Sequence, residues 1–503
     1  MARIRLAAGV LVGAAALRLL TSNGLVNYDT LYSLVWGRQL AHGELPDLEG
    51  AIAPTPHPLA TLGAIVLSPL SSIEVGGLHG ELAAAVVVGL AYVSLALLGW
   101  VVYALGREWF NAAAGLLAAA ILLTRVPVLD FGARAYVDIP YLVLVLGALL
   151  VETRRPRAGA PVLALLALAG LLRPEAWMFS VAYIAWLLAP GLRAARRGAA
   201  GPRAGAAEAR DSAPPAGAPR MGAAWRDAAP LLALAASGPL LWGLHDLLIT
   251  GNPLHSLTGT RENAAALGRV TGLDDVALTM PRRVGEILRE PVLLAAAGGG
   301  LLALAWHRDR RTRLAVAAGL LAVAAFTVLA AAGLPIITRY VLLPASLLAI
   351  FAGAGVFGWR DLPAGAQRTW WARFGALALV VLVAFVPSQA GRIERLGDAL
   401  QTQAAIQADL GDIVRDGVRC EPLVVSNRRP IPLLALWLEL DPRAIVDAQS
   451  RLPARGTYIV PRSGKVARDY ILDRRDRDRR IAQPPRNSPV TGSNASWNAT
   501  DVC

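Results

Sequence analysis

The chain has 503 residues, 55% of them apolar, a mean hydropathy of +0.48 and a formal net charge of +13. Soluble proteins carry about 45–50% apolar residues even with glycine counted, and here the apolar residues fall in long blocks, so an array of water-soluble domains is excluded for most of the length. The charge is nearly all arginine, with Lys465 the single lysine, and much of it sits in short loops between apolar blocks, which excludes a nucleic-acid groove.

Residues 4–22 follow a basic MARIR lead, lack a small-residue cleavage site and are interrupted by Arg18, so they read as an uncleaved first span. Further apolar blocks at 80–105, 112–129, 138–152, 159–173, 176–190, 229–250, 291–306, 314–334, 340–358 and 374–389 predict an all-α polytopic protein of about eleven transmembrane helices. Threaded from a cytoplasmic N-terminus, every inside loop is basic. These loops hold Arg3 and Arg5, then Arg107, then Arg154, Arg155 and Arg157, and then seven arginines in 191–228. Two more hold Arg308, Arg310, Arg311 and Arg313, and then Arg360, Arg368 and Arg373. This is the positive-inside bias. It predicts a multi-pass plasma-membrane protein whose residues 390–503 lie outside the cytoplasm. The loop 191–228 is rich in Ala, Gly, Pro and Arg and is expected to be disordered. No internal repeat stands out, which counts against a carrier.

Residues 390–503 change character. An amphipathic stretch at 392–415 is followed by β-like runs at 423–425 and 458–460 and helical runs at 431–440 and 465–473, which predicts a small extracytoplasmic α/β domain. Cys420 and Cys503, the only cysteines, can pair there; closing a loop of about eighty residues contributes roughly 4–5 kcal/mol on the chain-entropy model. Trp437, Trp497 and Tyr458 are either core residues or sugar-stacking platforms. The two Asn-x-Ser/Thr patterns at 494–496 and 498–500 are taken as chance.

The first outside loop, 23–79, is the most informative segment. Asp29 opens a stretch whose Leu31, Leu34 and Val35 recur at helical spacing and which Gly43 closes, so an amphipathic helix at the membrane surface is expected. Asp29 reads equally as a helix N-cap or a general base. His57 lies in the proline-locked turn Pro54–Leu59. Beyond it, Arg134 and Asp138 flank a second outside loop, Arg173 and Glu175 fill a tight turn, and Thr338-Arg339-Tyr340 precedes a late span. The loop after residue 250 adds Asn252, His255, Arg261, Glu262, Arg282 and Arg283, with His245 and Asp246 just before it. For Asp138 a cap is the alternative to a functional role; for Arg173 and Glu175 it is a structural ion pair; for the loop, a solvated face.

The spacing Asp29, Tyr32, Trp36, Gly37, Leu40, Ala41, Gly43 and Pro46, followed by Pro54–Leu59, resembles the GT-C glycosyltransferases. That superfamily includes protein O-mannosyltransferases, lipid A aminoarabinose transferases and actinobacterial arabinosyl- and mannosyltransferases. Thr30 stands where many members carry a second acid, which argues against the usual protein mannosyltransferase. The arginine-rich, lysine-poor composition looks prokaryotic, of an actinobacterial kind. The resemblance implies a GT-C catalytic domain over 1–389. It would transfer a sugar, with inversion, from a polyprenyl-phosphate donor to a hydroxyl of a glycan, lipid or protein at the extracytoplasmic face. On that reading Asp29 is the base, Asp138 orients the acceptor, and Arg339, with Arg173 or Arg134, binds the donor phosphate. Tyr32, His57, Glu175, His245, Asp246 and Tyr340 surround the sugar. A divalent Mg or Mn ion stays an open option; no His/Cys cluster fits zinc. The alternative is a transporter or lipid-carrier flippase.

Overall fold

A computed structural model describes residues 2–50, 52–199, 221–307, 309–415, 418–472, 479–485 and 488–503. All eleven apolar blocks are helical. In chain order the helices are α1 (Ala2–Thr21), α2 (Tyr28–Ala41), α3 (Pro58–Ser71), α4 (Glu81–Trp109), α5 (Ala112–Leu123), α6 (Val126–Ala133), α7 (Asp138–Arg154) and α8 (Ala160–Gly170). They continue with α9 (Glu175–Ala199), α10 (Met221–Thr250), α11 (His255–Ala266), α12 (Val276–Leu288), α13 (Glu290–Trp306), α14 (Arg310–Ala331), α15 (Leu342–Phe357) and α16 (Ala366–Arg415). Among the described residues six helices are long and apolar enough to cross a bilayer, and eight spans result if each of two bent pairs counts as one. The protein is a multi-pass membrane protein.

Several boundaries differ from expectation for local reasons. The block 112–129 is two helices meeting at 66°. The Thr124 hydroxyl bonds back to the carbonyls of Ala120 and Ile121, and Pro127 has no N–H to continue the ladder. α12 meets α13 at 107° next to Pro291, so much of the supposed loop after residue 250 is helical, as α11 and α12. Residues 191–199 extend α9 and 221–228 begin α10; the disorder expected for 200–220 lies outside the described residues. Glycines let the central helices touch backbone to backbone: a Cβ on Gly106 would strike α5, and one on Gly299 or Gly353 would strike a carbonyl of α15 or α5.

The expected surface helix is instead buried. Thr30 to Gln39 of α2 are all inaccessible. Leu31, Leu34 and Val35 join a core with Ile406 and Leu410 of α16 and Leu433 to Trp437 of α17 (Ile431–Trp437). Its polar residues are satisfied across that contact: Arg38 donates to Ala435 O (3.3 Å) and Gln39 to Asp441 (2.7 Å). The apolar face that looked fit for lipid is covered by α17 and α16, which lie about 400 residues further along the chain.

Strands β1 (Leu423–Val425), β2 (Ile445–Asp447), β3 (Gly456–Pro461), β4 (Gly492–Ser493) and β5 (Trp497–Val502) form one sheet in the order β2-β1-β3-β5-β4. β2, β1 and β3 are parallel; β5 runs antiparallel to β3, and β4 antiparallel to β5. The α/β character was expected, whereas β2, β4 and β5 were not. Trp437, Trp497 and Tyr458 are core residues, at most 5% exposed, which removes them as sugar platforms. α16 is one helix of 50 residues, so the expected domain border at 389/390 falls inside it. Cys420 and Cys503 form a disulfide, with Cα atoms 5.4 Å apart, that ties the end of β5 to the approach of β1 across 83 residues. Cys503→Ser is expected to cost the sheet about 2–4 kcal/mol, read as faster hydrogen exchange in β3 and β5; unchanged protection there would show that the bridge adds nothing.

Candidate active site

The local structure at the start of α2 decides what Asp29 does. Asn27 is the N-cap: its side-chain oxygen accepts from the amides of Asp29 (2.8 Å) and Thr30 (3.2 Å). Its amide group donates to the carbonyls of Arg134 (2.9 Å) and Ala135 (3.0 Å), pinning α2 to the loop before α7. Thr30, in the place of the second acid, donates to Ala135 O (2.8 Å) and reinforces that seam. Asp29 is therefore released from capping, and its Oδ2 accepts from Arg339 Nη1 at 2.8 Å, across 310 residues of sequence.

A second ion cluster lies alongside. Asp138, the first residue of α7, does not cap its helix; its carboxylate receives Arg173 Nη1. Arg173 turns its other edge to Glu175 Oε1, with Nε at 3.0 Å and Nη2 at 2.6 Å. The guanidinium of Arg173 lies 4.2 Å from the centre of the Tyr340 ring and 5.6 Å from that of Tyr141. Arg339 lies 5.8 Å from the rings of both Tyr340 and Tyr136. Tyr340 thus stands between two arginines, each attracted to its electron-rich face. The acids occupy the first turns of α2, α7 and α9, where the helix dipole favours negative charge.

The two ion pairs are not equivalent. Asp138, Arg173 and Glu175 are at most 6% exposed, whereas the side chains of Asp29 and Arg339 are each 23% exposed. Arg173, gripped by two buried carboxylates, is a fixed strut. Arg339, held by one half-buried acid, is the cation an incoming anion can reach. Arg339 Nε, Asp138 Oδ2, Glu175 Oε2 and His57 Nδ1 are buried and make no hydrogen bond. Buried polar groups are nearly always satisfied within a protein, and these four exceptions lie at or beside the network.

His57 precedes α3, its ring edge-on to Trp242 at 5.8 Å. Burial pushes its pKa down to about 4, against the opposing pull of Asp29. The imidazole is therefore neutral at physiological pH and is no candidate for a charged phosphate ligand. Because the folded value is depressed, stability is complete above about 6.5 and is lost as pH falls from there towards 4. His57→Gln is expected to flatten the acid limb of the stability profile in that window and leave it unchanged above pH 7; parallel limbs would contradict the assignment.

Four expected site residues do not join the network. Arg134 is held by Asp130 at 2.6 Å and by Gln403, and makes no contact with Arg173 or Asp29. Tyr32 is wholly inaccessible, packed between Tyr28 and Trp36. Asp246 accepts from the amide and hydroxyl of Ser256, both at 2.8 Å, and so fixes the start of α11. His245 sits beside it, 3.6 Å from Asp246, on the same helix. Of the later loop residues, Arg283 pairs with Glu286 at 2.8 Å and Arg261 bonds to Ala332 O at 2.6 Å. The roles of Asn27, Tyr136 and Tyr141 were not foreseen. Tyr141 could have been, since it lies one turn after Asp138 on the same face of α7.

Among the described residues no three His, Cys, Asp or Glu side chains group as metal ligands. Asp29 and Asp138 each already hold an arginine. Arg173, Glu175, Arg339 and Tyr340, with Phe179 and Phe326, line a void of about 10 Å³, room for about one water.

Two solved structures are similar to the chain over its whole length. They are ArnT from Cupriavidus metallidurans bound to undecaprenyl phosphate and the same protein in the apo state. Both give a TM-score of 0.54, at 16% and 15% identity, covering 99% of this chain and 97% and 98% of theirs. The fold is ArnT-like. No protein-family model and no curated protein matches the sequence. The expected polytopic helical fold with a small C-terminal sheet is thus one that ArnT shares. Within this ArnT-like frame the charged network lies at the end of the bundle that carries the C-terminal sheet.

Proposed function

We propose that the chain is a membrane glycosyltransferase that moves a sugar from a polyprenyl-phosphate donor onto an acceptor hydroxyl at the extracytoplasmic face. One observation carries this reading. Asp29, Asp138, Arg173, Glu175 and Arg339, from four separate parts of the chain, meet in a single network joined through Tyr340. The ArnT-like fold supports it: the neighbouring structure holds undecaprenyl phosphate, a lipid of the proposed donor class. The basic loops at the opposite ends of the spans support the orientation.

In this mechanism the donor's phosphate competes with Asp29 for Arg339, whose planar fork suits phosphate oxygens. The exchange frees the Asp29 carboxylate. The acceptor oxygen attacks the anomeric carbon in line, the bond from that carbon to the phosphate oxygen breaks, and the hydroxyl proton passes to Asp29. The polyprenyl phosphate leaves with its negative charge beside Arg339. Asp138 and Glu175 hold Arg173, which through Tyr340 fixes the place of Arg339. A single displacement inverts the anomeric centre. The acceptor class we propose is a cell-envelope glycan, glycolipid or glycoprotein.

The test is reconstitution in liposomes with a polyprenyl-phosphate sugar and candidate acceptors. Transfer of the sugar with release of polyprenyl phosphate supports the reading; movement of the lipid without transfer would replace it with the flippase.

A further inference from the structure

A second cavity shares no lining residue with the void at the charged network. It is a groove of about 530 Å³ between α6, α12 and α16, lined among others by Glu286, Ile287, Arg289, Arg392, Arg395 and Leu396. Its cations outnumber its acids. Glu286 is already engaged by Arg283 at 2.8 Å and by the Thr338 hydroxyl at 3.3 Å. Among the described residues no carboxylate pairs with Arg392 or Arg395. Arg289 Nε is buried without a hydrogen bond, and its nearest acid oxygen, on exposed Glu290, is 3.7 Å away.

Two further features concentrate positive charge there. Arg125, 5% exposed, lies behind the groove with its guanidinium on the carbonyls of Ile121 (3.1 Å) and Leu288 (3.3 Å). It and Arg392 stand against the same ring, Phe385, each 5.7 Å from its centre. Like charges are costly to gather unless an anion compensates them. Arg289 also holds φ 68°, ψ 162°, a backbone region almost reserved for glycine and found mainly where function demands it.

The depth of the groove identifies the ligand. The outward face of α16 exposes Leu377, Val380, Val381, Val383 and Val386 in sequence, the surface a bilayer interior requires. The arginines begin at 392, just past that stripe, where arginine meets lipid headgroups. Buried Ile287 and Leu396 add an apolar lining to the groove beside its arginines. We propose that this groove is a second lipid site, which seats the phosphate of an anionic phospholipid against Arg289, Arg392 and Arg395. It stands independently of the transferase reading.

The test uses the full chain in detergent, with lipid retention followed by native mass spectrometry. The probes are phosphatidylglycerol, zwitterionic phosphatidylcholine and inorganic phosphate. Wild type is expected to retain phosphatidylglycerol over phosphatidylcholine, and Arg392→Gln/Arg395→Gln to lower that retention on the order of tenfold. Arg392→Lys/Arg395→Lys should keep most of it, which shows that charge and not folding is being read. Equal retention by wild type and the Gln variant, or no preference for phosphatidylglycerol in wild type, would overturn the proposal. Displacement of the lipid by inorganic phosphate at equal concentration would also overturn it, by making the free anion the ligand.

Discussion

Asp29→Asn is expected to lower the rate of sugar transfer on the order of 10²- to 10⁴-fold, the usual contribution of a positioned general base. The change keeps the shape of the side chain and removes only its charge and its ability to take a proton. Donor binding should be kept or tightened, because Arg339 loses the carboxylate that competes with phosphate at 2.8 Å. The signature is therefore a fall in kcat without a rise in donor KM. A variant within a few-fold of wild-type kcat would mean that another group takes the proton. A raised KM at normal kcat would mean that Asp29 only holds Arg339 in place.

Arg339→Gln is the second large effect. Loss of the more accessible of the network's two guanidinium groups should cut kcat/KM about 10²- to 10³-fold, as removal of a donor to a developing anion does elsewhere. Arg339→Lys should recover only part of this, since an ammonium cannot span two phosphate oxygens. Arg173→Gln is expected to behave differently. It would strand Asp138 and Glu175, both under 7% exposed, and breaking such a buried cluster costs about 3–5 kcal/mol. Its defect should appear as lost folded protein rather than as altered kinetics of well-folded protein. If Arg339→Gln instead binds and turns over donor normally, Arg339 is not the phosphate ligand.

The parts of this architecture that were legible in the sequence are those governed by local physics. Apolar blocks became helices, and the acids could be picked out locally: Asp29 by its place at the start of a helical pattern after the first span, Asp138 and Glu175 by the arginine and proline near them. The pairings themselves were not legible. That Asp29 meets Arg339, while Arg134 goes to Asp130 and Gln403, depends on where helices distant in sequence cross. The capping role of Asn27 was hidden because Asn and Asp are nearly interchangeable at that position; only the backbone shows which oxygen the amides use. The burial of α2 was missed for the same reason: its apolar face suits lipid or protein equally well. Strands β2 and β5 are short and partly polar, and they are strands because β1 and β3 provide edges to pair with.

The central claim is that the lipid phosphate takes the place of Asp29 on Arg339. A cryo-EM map of the full chain in nanodiscs with a polyprenyl phosphate bound tests it most directly. The account predicts phosphate density within hydrogen-bonding distance of the Arg339 guanidinium and Asp29 turned away from it. Phosphate bound elsewhere, with Asp29 and Arg339 still paired, would contradict it.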